Sequence, residues 1–226
     1  MTPLRPPVRP LAAPGAEHVV RWQPGEWMFR VFHAHPDPAR AAALRARVFG
    51  PVARFDPHVR DRHQRPKVQA DGRGVQYLGD SLGCGLAEAL PEQWPEVRIC
   101  PNQRVVQAAP ARPLALLDLR GDGAMAIGAV GTLGTGNEPR RLTQRWGRAI
   151  YEDLPALAGV VYRGAHQGGV SVAVWDRAGV LHARPGTPDD GEPLAGPRLR
   201  TRVIAALARQ GRSPVWAADC PACSTG

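Results

Sequence analysis

Three short stretches of this sequence place charged or reactive side chains where the neighbouring residues call for burial. Arg30 follows Trp27-Met28-Phe29, so an ionised guanidinium is embedded in a segment that otherwise packs inside. Such an arginine needs an anion, a carboxylate or a ligand phosphate that it grips bidentately. A strand-end arginine reaching solvent accounts for the pattern equally well. Glu88 lies in Leu82 to Leu90, and on a helical wheel Leu82, Leu86, Ala89 and Leu90 share one sector. Glu88 falls about 120° from Leu82, off the core face, where the ordinary fate of a carboxylate is solvation. The third stretch, Leu157-Ala-Gly-Val-Val-Tyr162-Arg163-Gly164-Ala-His166, runs from a buried strand into a polar, glycine-flanked turn. Composition alone reads it as a turn and nothing more.

Other chemistry finds little footing. There is no GxGxxG after a strand, no GxxxxGK[ST], no HExxH and no GxSxG. Gly131-Thr-Leu-Gly134-Thr-Gly136 lacks the lysine of a phosphate loop and reads as a flexible turn. His33 and His35 alternate along an extended segment, and His58 and His63 lie in a loop, without the carboxylate cluster a metal site needs. Cys84 and Cys100 stand alone. The terminal Cys220-x-x-Cys223 lacks two further zinc ligands and reads as two thiols on a frayed tail. The expectation is a reduced, cytoplasmic chain with no metal.

The elements that must position these residues are short. Residues 1–17 are proline-rich and without period, which predicts a flexible extension. Val19 to Phe32 predicts two short strands or one bent one. Asp37-Pro38 opens a predicted helix over 39–49, with Gly50 as its stop. Residues 51–74 read as a long loop. A strand over 74–78 leads to the helix carrying Glu88, capped by Asp80-Ser81, and strands follow at 103–108 and 113–119. Helices over 138–153 and 199–210 flank strands at 160–162 and 170–175. Strands and helices interleave, but some strands follow each other directly, so the reading is one mixed α+β domain over 18–212 with a tail over 213–226.

Composition excludes some functions. At 226 residues and 43% hydrophobic the chain is long enough for one domain with a sizeable core, or two small ones. No apolar run approaches the ~18–20 residues of a membrane helix, and the prolines of the N-terminus interrupt any signal peptide. The net charge of +9 suggests an anionic partner. Yet Lys67 is the only lysine, and so complete a preference for arginine fits biased codon usage as well as selection for charge. The helices over 39–49 and 199–210 carry Arg40, Arg45, Arg47, Arg200, Arg202 and Arg209, but most helices carry such solvated faces, so nucleic-acid binding ranks last.

Taken in order, Phe-Arg30-Val, Ala-Arg54-Phe-Asp, Val-Gln-Tyr77-Leu-Gly with Ala-Glu88-Ala-Leu eleven residues on, and Tyr162-Arg163-Gly164 resemble the RES domain. That family is named for an arginine, a glutamate and a serine, and it typifies the toxins of RES–Xre toxin–antitoxin pairs. Residues 141–164 also resemble the helix and strand before the family's serine. The likeness spans roughly residues 20–182.

The resemblance implies a fold like that of diphtheria-toxin-type ADP-ribosyltransferases, with small β-sheets around a cleft that holds NAD and helices at the periphery. It implies NAD as substrate, consumed by hydrolysis, phosphorolysis or ADP-ribosyl transfer to a protein, and an Xre-like antitoxin as partner. Glu88 and Arg30 are then the catalytic positions, and Arg30 and Arg54 grip the pyrophosphate while Tyr77 stacks on a ring. Gly164, also at the NAD site, departs from the family pattern, standing where the serine is expected. Ser171, seven residues later on the next strand, is not an aligned substitute, and His166 is merely near in sequence. The alternative to turnover is a degenerate RES domain that binds NAD or a partner.

Overall fold

Alternating β-branched and aromatic residues form strands at Val19–Trp22 (β1) and Met28–His33 (β2) in the computed structural model, which describes residues 3–34, 42–90, 95–135, 138–179 and 181–218. Phe49–Gly50 (β3) and Lys67–Val68 (β4) pair across a long loop. Val75–Gly79 (β5) leads into helix α1 (Leu82–Ala89), whose N-cap Ser81 Oγ accepts the Cys84 N–H at 3.1 Å. Glu96–Ile99 (β6), Gln103–Pro110 (β7) and Leu114–Asp118 (β8) follow. A single turn, α2 (Gly123–Ala126), precedes α3 (Arg140–Asp153), which buries Trp146 and Ile150 at four-residue spacing. Then come Gly159–Arg163 (β9), Val170–Trp175 (β10), Leu181–Ala183 (β11), Glu192–Pro193 (β12), α4 (Pro197–Ala208) and Ser213–Trp216 (β13).

Nine strands form one sheet in the order β1-β8-β9-β10-β5-β2-β7-β11, with β12 also on β7. Every pairing in it is antiparallel except β8 with β9. The α+β class is as expected; most strands join this one sheet, with two two-stranded pairs beside it. Period-two alternation sorts side chains to its faces. Val75, Tyr77, Leu117, Val160, Tyr162, Ala173 and Trp175 point toward α3 and Phe55. Leu78, Leu116, Val161, Val172 and Val174 point the other way, joined by Met28 and Trp22. A third cluster binds α1 and α4 to Val97, Ile99 and Val105.

Three expectations are corrected. Residues 42–50 are turn, bridge and strand rather than the C-terminal part of a helix over 39–49; the start of that segment, 35–41, lies outside the described residues. Arg47 bridges Val75 through both backbone N–H groups, so sheet pairing overrides the local helical pattern. The segment over 3–17 is docked, not a flexible extension: Leu4 and Leu11 are buried in the main core, and Arg9 pairs with Glu152 and Asp153. Trp146 Nε1 also donates to Arg5 O at 2.8 Å. The tail begins later than residue 213, because Ser213–Trp216 pairs in parallel with β6; Cys220 and Cys223 lie outside the described residues. Gly131–Gly134 is a turn of 3₁₀ helix. Leu11→Ala is expected to cost about 2 kcal/mol of stability, the low end for a leucine near the surface. Urea unfolding followed by tryptophan fluorescence measures it, and an unchanged midpoint would show that the docked segment contributes nothing.

Candidate active site

The cleft opens on the α3-facing side of the sheet, where β2, β5, β9 and β10 run side by side under α1. It encloses about 650 Å³, within the range of small-molecule sites. Tyr77 and Tyr162 form its floor, Phe29 and Val31 one apolar wall, and Glu88, Arg54 and Arg47 its polar edge.

Glu88 reaches the cleft because α1 turns its Leu82 and Leu86 into the third core cluster and leaves position 88 half-exposed toward the β9–β10 turn. There Glu88 Oε1 accepts the His166 N–H at 3.1 Å, so the turn holds the carboxylate in place. Gly164 begins the same turn. A Cβ added to it would stand 2.9 Å from Glu88 Oε1, and the absent side chain is what lets the carboxylate lie close to the strand end.

Arg54 lies across the Tyr162 ring, its guanidinium carbon 4.6 Å from the centroid, and Nη2 donates to Arg163 O at 3.2 Å. Its Nη1 is buried without an acceptor. A buried, unpaired guanidinium N–H is costly unless a ligand completes it. Tyr77 presents its ring to the cleft and anchors its hydroxyl behind: the O–H donates to Asp56 Oδ1 at 2.7 Å and accepts the Phe55 N–H at 3.1 Å. Burial, then the Asp56 charge, push the phenol well above its ordinary pKa, so it stays neutral.

Arg54, Tyr77, Glu88 and Gly164 are thus brought together. Arg30 is not. Phe29 and Val31 face the cleft and α1, so alternation along β2 turns Arg30 to the opposite face. Its Nη1 donates to Ala43 O at 2.8 Å and Gln76 Oε1 at 2.9 Å, both neutral acceptors. Burial, aided by the nearby positive charge of Arg47, lowers its pKa to about 10. Two apolar neighbours outbid one arginine for the α1 contact, and this corrects the placement of Arg30 against the pyrophosphate.

Sequence reasoning missed Arg47 as a cleft residue, because it was assigned to a solvated helix face. Arg140, at the start of α3, also borders the cleft and was likewise not singled out. It missed Asp56, fully buried beneath Tyr77, although Arg54-Phe-Asp56 stood in the motif. Among the described residues no three His, Cys, Asp or Glu side chains cluster as metal ligands, and no helix is long and apolar enough to cross a membrane.

A family model described as the RES domain matches residues 19–195. Among solved structures, the chain is similar to a chain of the M. tuberculosis MbcT–MbcA toxin–antitoxin complex, with 20% identity over 73% of this chain and 84% of that one, at a TM-score of 0.47. No curated protein matches the sequence.

Proposed function

The chain belongs to the RES domain family, and from that premise we propose that it is a RES-type toxin that cleaves the nicotinamide–ribose bond of NAD. The observation that carries the reading is the convergence of Arg54, Tyr77 and Glu88 on one cleft, with a buried Arg54 N–H left for an anion. In the reaction the C1′–N bond breaks and its electron pair goes to the nicotinamide nitrogen, which leaves neutral. The ribose becomes oxocarbenium-like, and the acceptor oxygen of water, phosphate or a protein side chain attacks C1′ and loses its proton to solvent. Glu88 attracts the positive charge as it grows on the ribose. Arg54 holds a phosphate, and the Tyr77 ring offers a flat apolar face to a base. An Xre-like antitoxin that covers the cleft is the proposed partner, and the cytoplasm the proposed compartment.

Purified protein incubated with NAD should release nicotinamide, measured by chromatography with and without added phosphate. Intact NAD in both conditions would overturn the assignment. One observation favours a second reading, a binding module without turnover: Gly164 stands where the family has serine. That reading predicts NAD binding by calorimetry with no nicotinamide released.

Arg54→Ala is expected to weaken NAD binding about 10–100-fold, the worth of one or two charge-assisted hydrogen bonds. Arg54→Lys restores little, because a lysine cannot stack flat on Tyr162 while donating to two acceptors. Calorimetric titration measures both; affinity equal to wild type in Arg54→Ala would remove Arg54 from the site.

A further inference from the structure

The volume that a serine side chain would fill at position 164 is approached from the neighbouring strand. β9 and β10 pair with Ser171 opposite Tyr162, and the Gly164 N–H donates to Gly169 O at 2.8 Å. Alternation along β10 turns Ser171 to the same face as Ala173 and Trp175, the cleft face. Its Oγ lies 3.3 Å from the point where a Cβ on Gly164 would stand. Glu88 Oε1 lies 2.9 Å from that same point. A hydroxyl and a carboxylate therefore flank one small space, although the hydroxyl comes from a residue seven positions further on in the sequence.

The surroundings of Ser171 bear on where its proton goes. The residue is 1% exposed, so its hydroxyl must be satisfied inside the protein or by something in the cleft. Cys84 Sγ lies 3.3 Å from Oγ, and Tyr162 stands directly opposite Ser171 across the β9–β10 ladder. A serine oxygen has two lone pairs and one proton. Cys84 Sγ donates to Val170 O at 3.8 Å, so its proton does not hold the serine, and the Ser171 hydroxyl can turn its own proton to Cys84 Sγ or to an oxygen in the cleft.

We propose that Ser171 supplies from β10 the hydroxyl that the family's serine supplies from position 164, donating to a ribose oxygen of the substrate beside Glu88. The inference rests on the reading of NAD as substrate. It makes Gly164 a relocation of the serine and not a loss of it. Under this assignment Ser171 positions the ribose, so its removal lowers kcat more than it weakens binding.

The test compares wild type, Ser171→Ala, Ser171→Cys, Gly164→Ser and the double variant Ser171→Ala/Gly164→Ser for nicotinamide release and for NAD binding by calorimetry. Ser171→Ala should lose about 10–100-fold in kcat with KM changed only a few-fold. Ser171→Cys, assayed with a reductant because its thiol would stand beside Cys84, keeps the packing volume but is a weak donor, and should show the same loss even where alanine loosens the strand. Gly164→Ser alone should also lose activity, since its Cβ would stand 3.3 Å from Ser171 Oγ and crowd two hydroxyls into one small space, while Glu88 Oε1, at the end of a flexible side chain, can give way. The double variant should recover most of the rate, because a hydroxyl returns to the same space while the Ser171 oxygen vacates it. A merely structural serine gives additive losses and no recovery. An active wild type whose Ser171→Ala and Ser171→Cys variants keep full kcat overturns this inference alone, as does a double variant no faster than Ser171→Ala. A wild type that leaves NAD uncleaved, whether or not it binds it, overturns the functional reading, and this inference with it.

Discussion

Glu88→Gln should lower the rate of nicotinamide release about a thousand-fold while leaving NAD affinity within a few-fold of wild type. The substitution is nearly isosteric, and the glutamine Oε1 still accepts the His166 N–H that holds the carboxylate at the β9–β10 turn. What goes is the negative charge. A unit charge about 4 Å from a developing cation is worth roughly 4 kcal/mol at the effective dielectric of a protein cleft, and about 1.4 kcal/mol corresponds to tenfold in rate. The ground state carries its positive charge on the nicotinamide ring and the transition state moves it onto the ribose, so the loss falls on kcat. Single-turnover release of nicotinamide, with calorimetry for affinity, separates the two. A variant that keeps more than a tenth of the wild-type rate would show that the carboxylate does not stabilise the transition state.

Legibility of the sequence followed the range of the interactions. α1 and its Ser81 cap, α3 with Trp146 and Ile150, and the hairpin β9–β10 were readable because their signals are local: a cap, a four-residue spacing, an apolar run between turns. The segment over 42–50 was not, since its backbone is claimed by Val75 from 28 residues away. The N-terminal prolines carry no period, yet Leu4 and Leu11 dock on a surface made by α3, which no window of the sequence contains. The site divides the same way. Arg54, Tyr77 and Glu88 stand in ordered motifs of the sequence and line one cleft of the fold. Arg30 was misplaced because alternation tells which residues share a face but not which face meets α1. Ser171 was passed over because proximity across a ladder is invisible to alignment by position.

Asp56→Asn should unfold the site's foundation, at a cost of about 3–5 kcal/mol, the usual penalty for breaking a buried ion pair from one side. Asp56 is fully buried, and five groups converge on it. Arg47 Nη2 and the Tyr77 O–H each approach Oδ1 at 2.7 Å. The N–H groups of Val52 and Ala53 reach Oδ2 at 2.5 and 3.0 Å, and His58 Nδ1 lies 3.4 Å from the same oxygen. Gly50 makes the arrangement possible, since a Cβ there would fall 2.1 Å from His58 Nδ1. Burial alone would raise the carboxyl pKa, but His58, Arg47 and the Val52 N–H outweigh it and hold Asp56 well below the usual carboxylate range. A depressed pKa in the folded state contributes stability above the unfolded value, about 3.9, which is lost as pH falls through the folded value. Wild type should therefore lose stability more steeply than Asp56→Asn below about pH 4, and the two should run parallel above it. Because Asp56 ties Tyr77 and Arg47 to the loop that carries Arg54, the variant should also bind NAD more weakly while Glu88, on α1, stays in place. Urea midpoints across pH 3 to 7, with NAD titration at pH 7, measure both effects. Equal stability of the two proteins at pH 7 would mean that the buried charge contributes no net stability to the fold, and that the network serves only to orient the cleft.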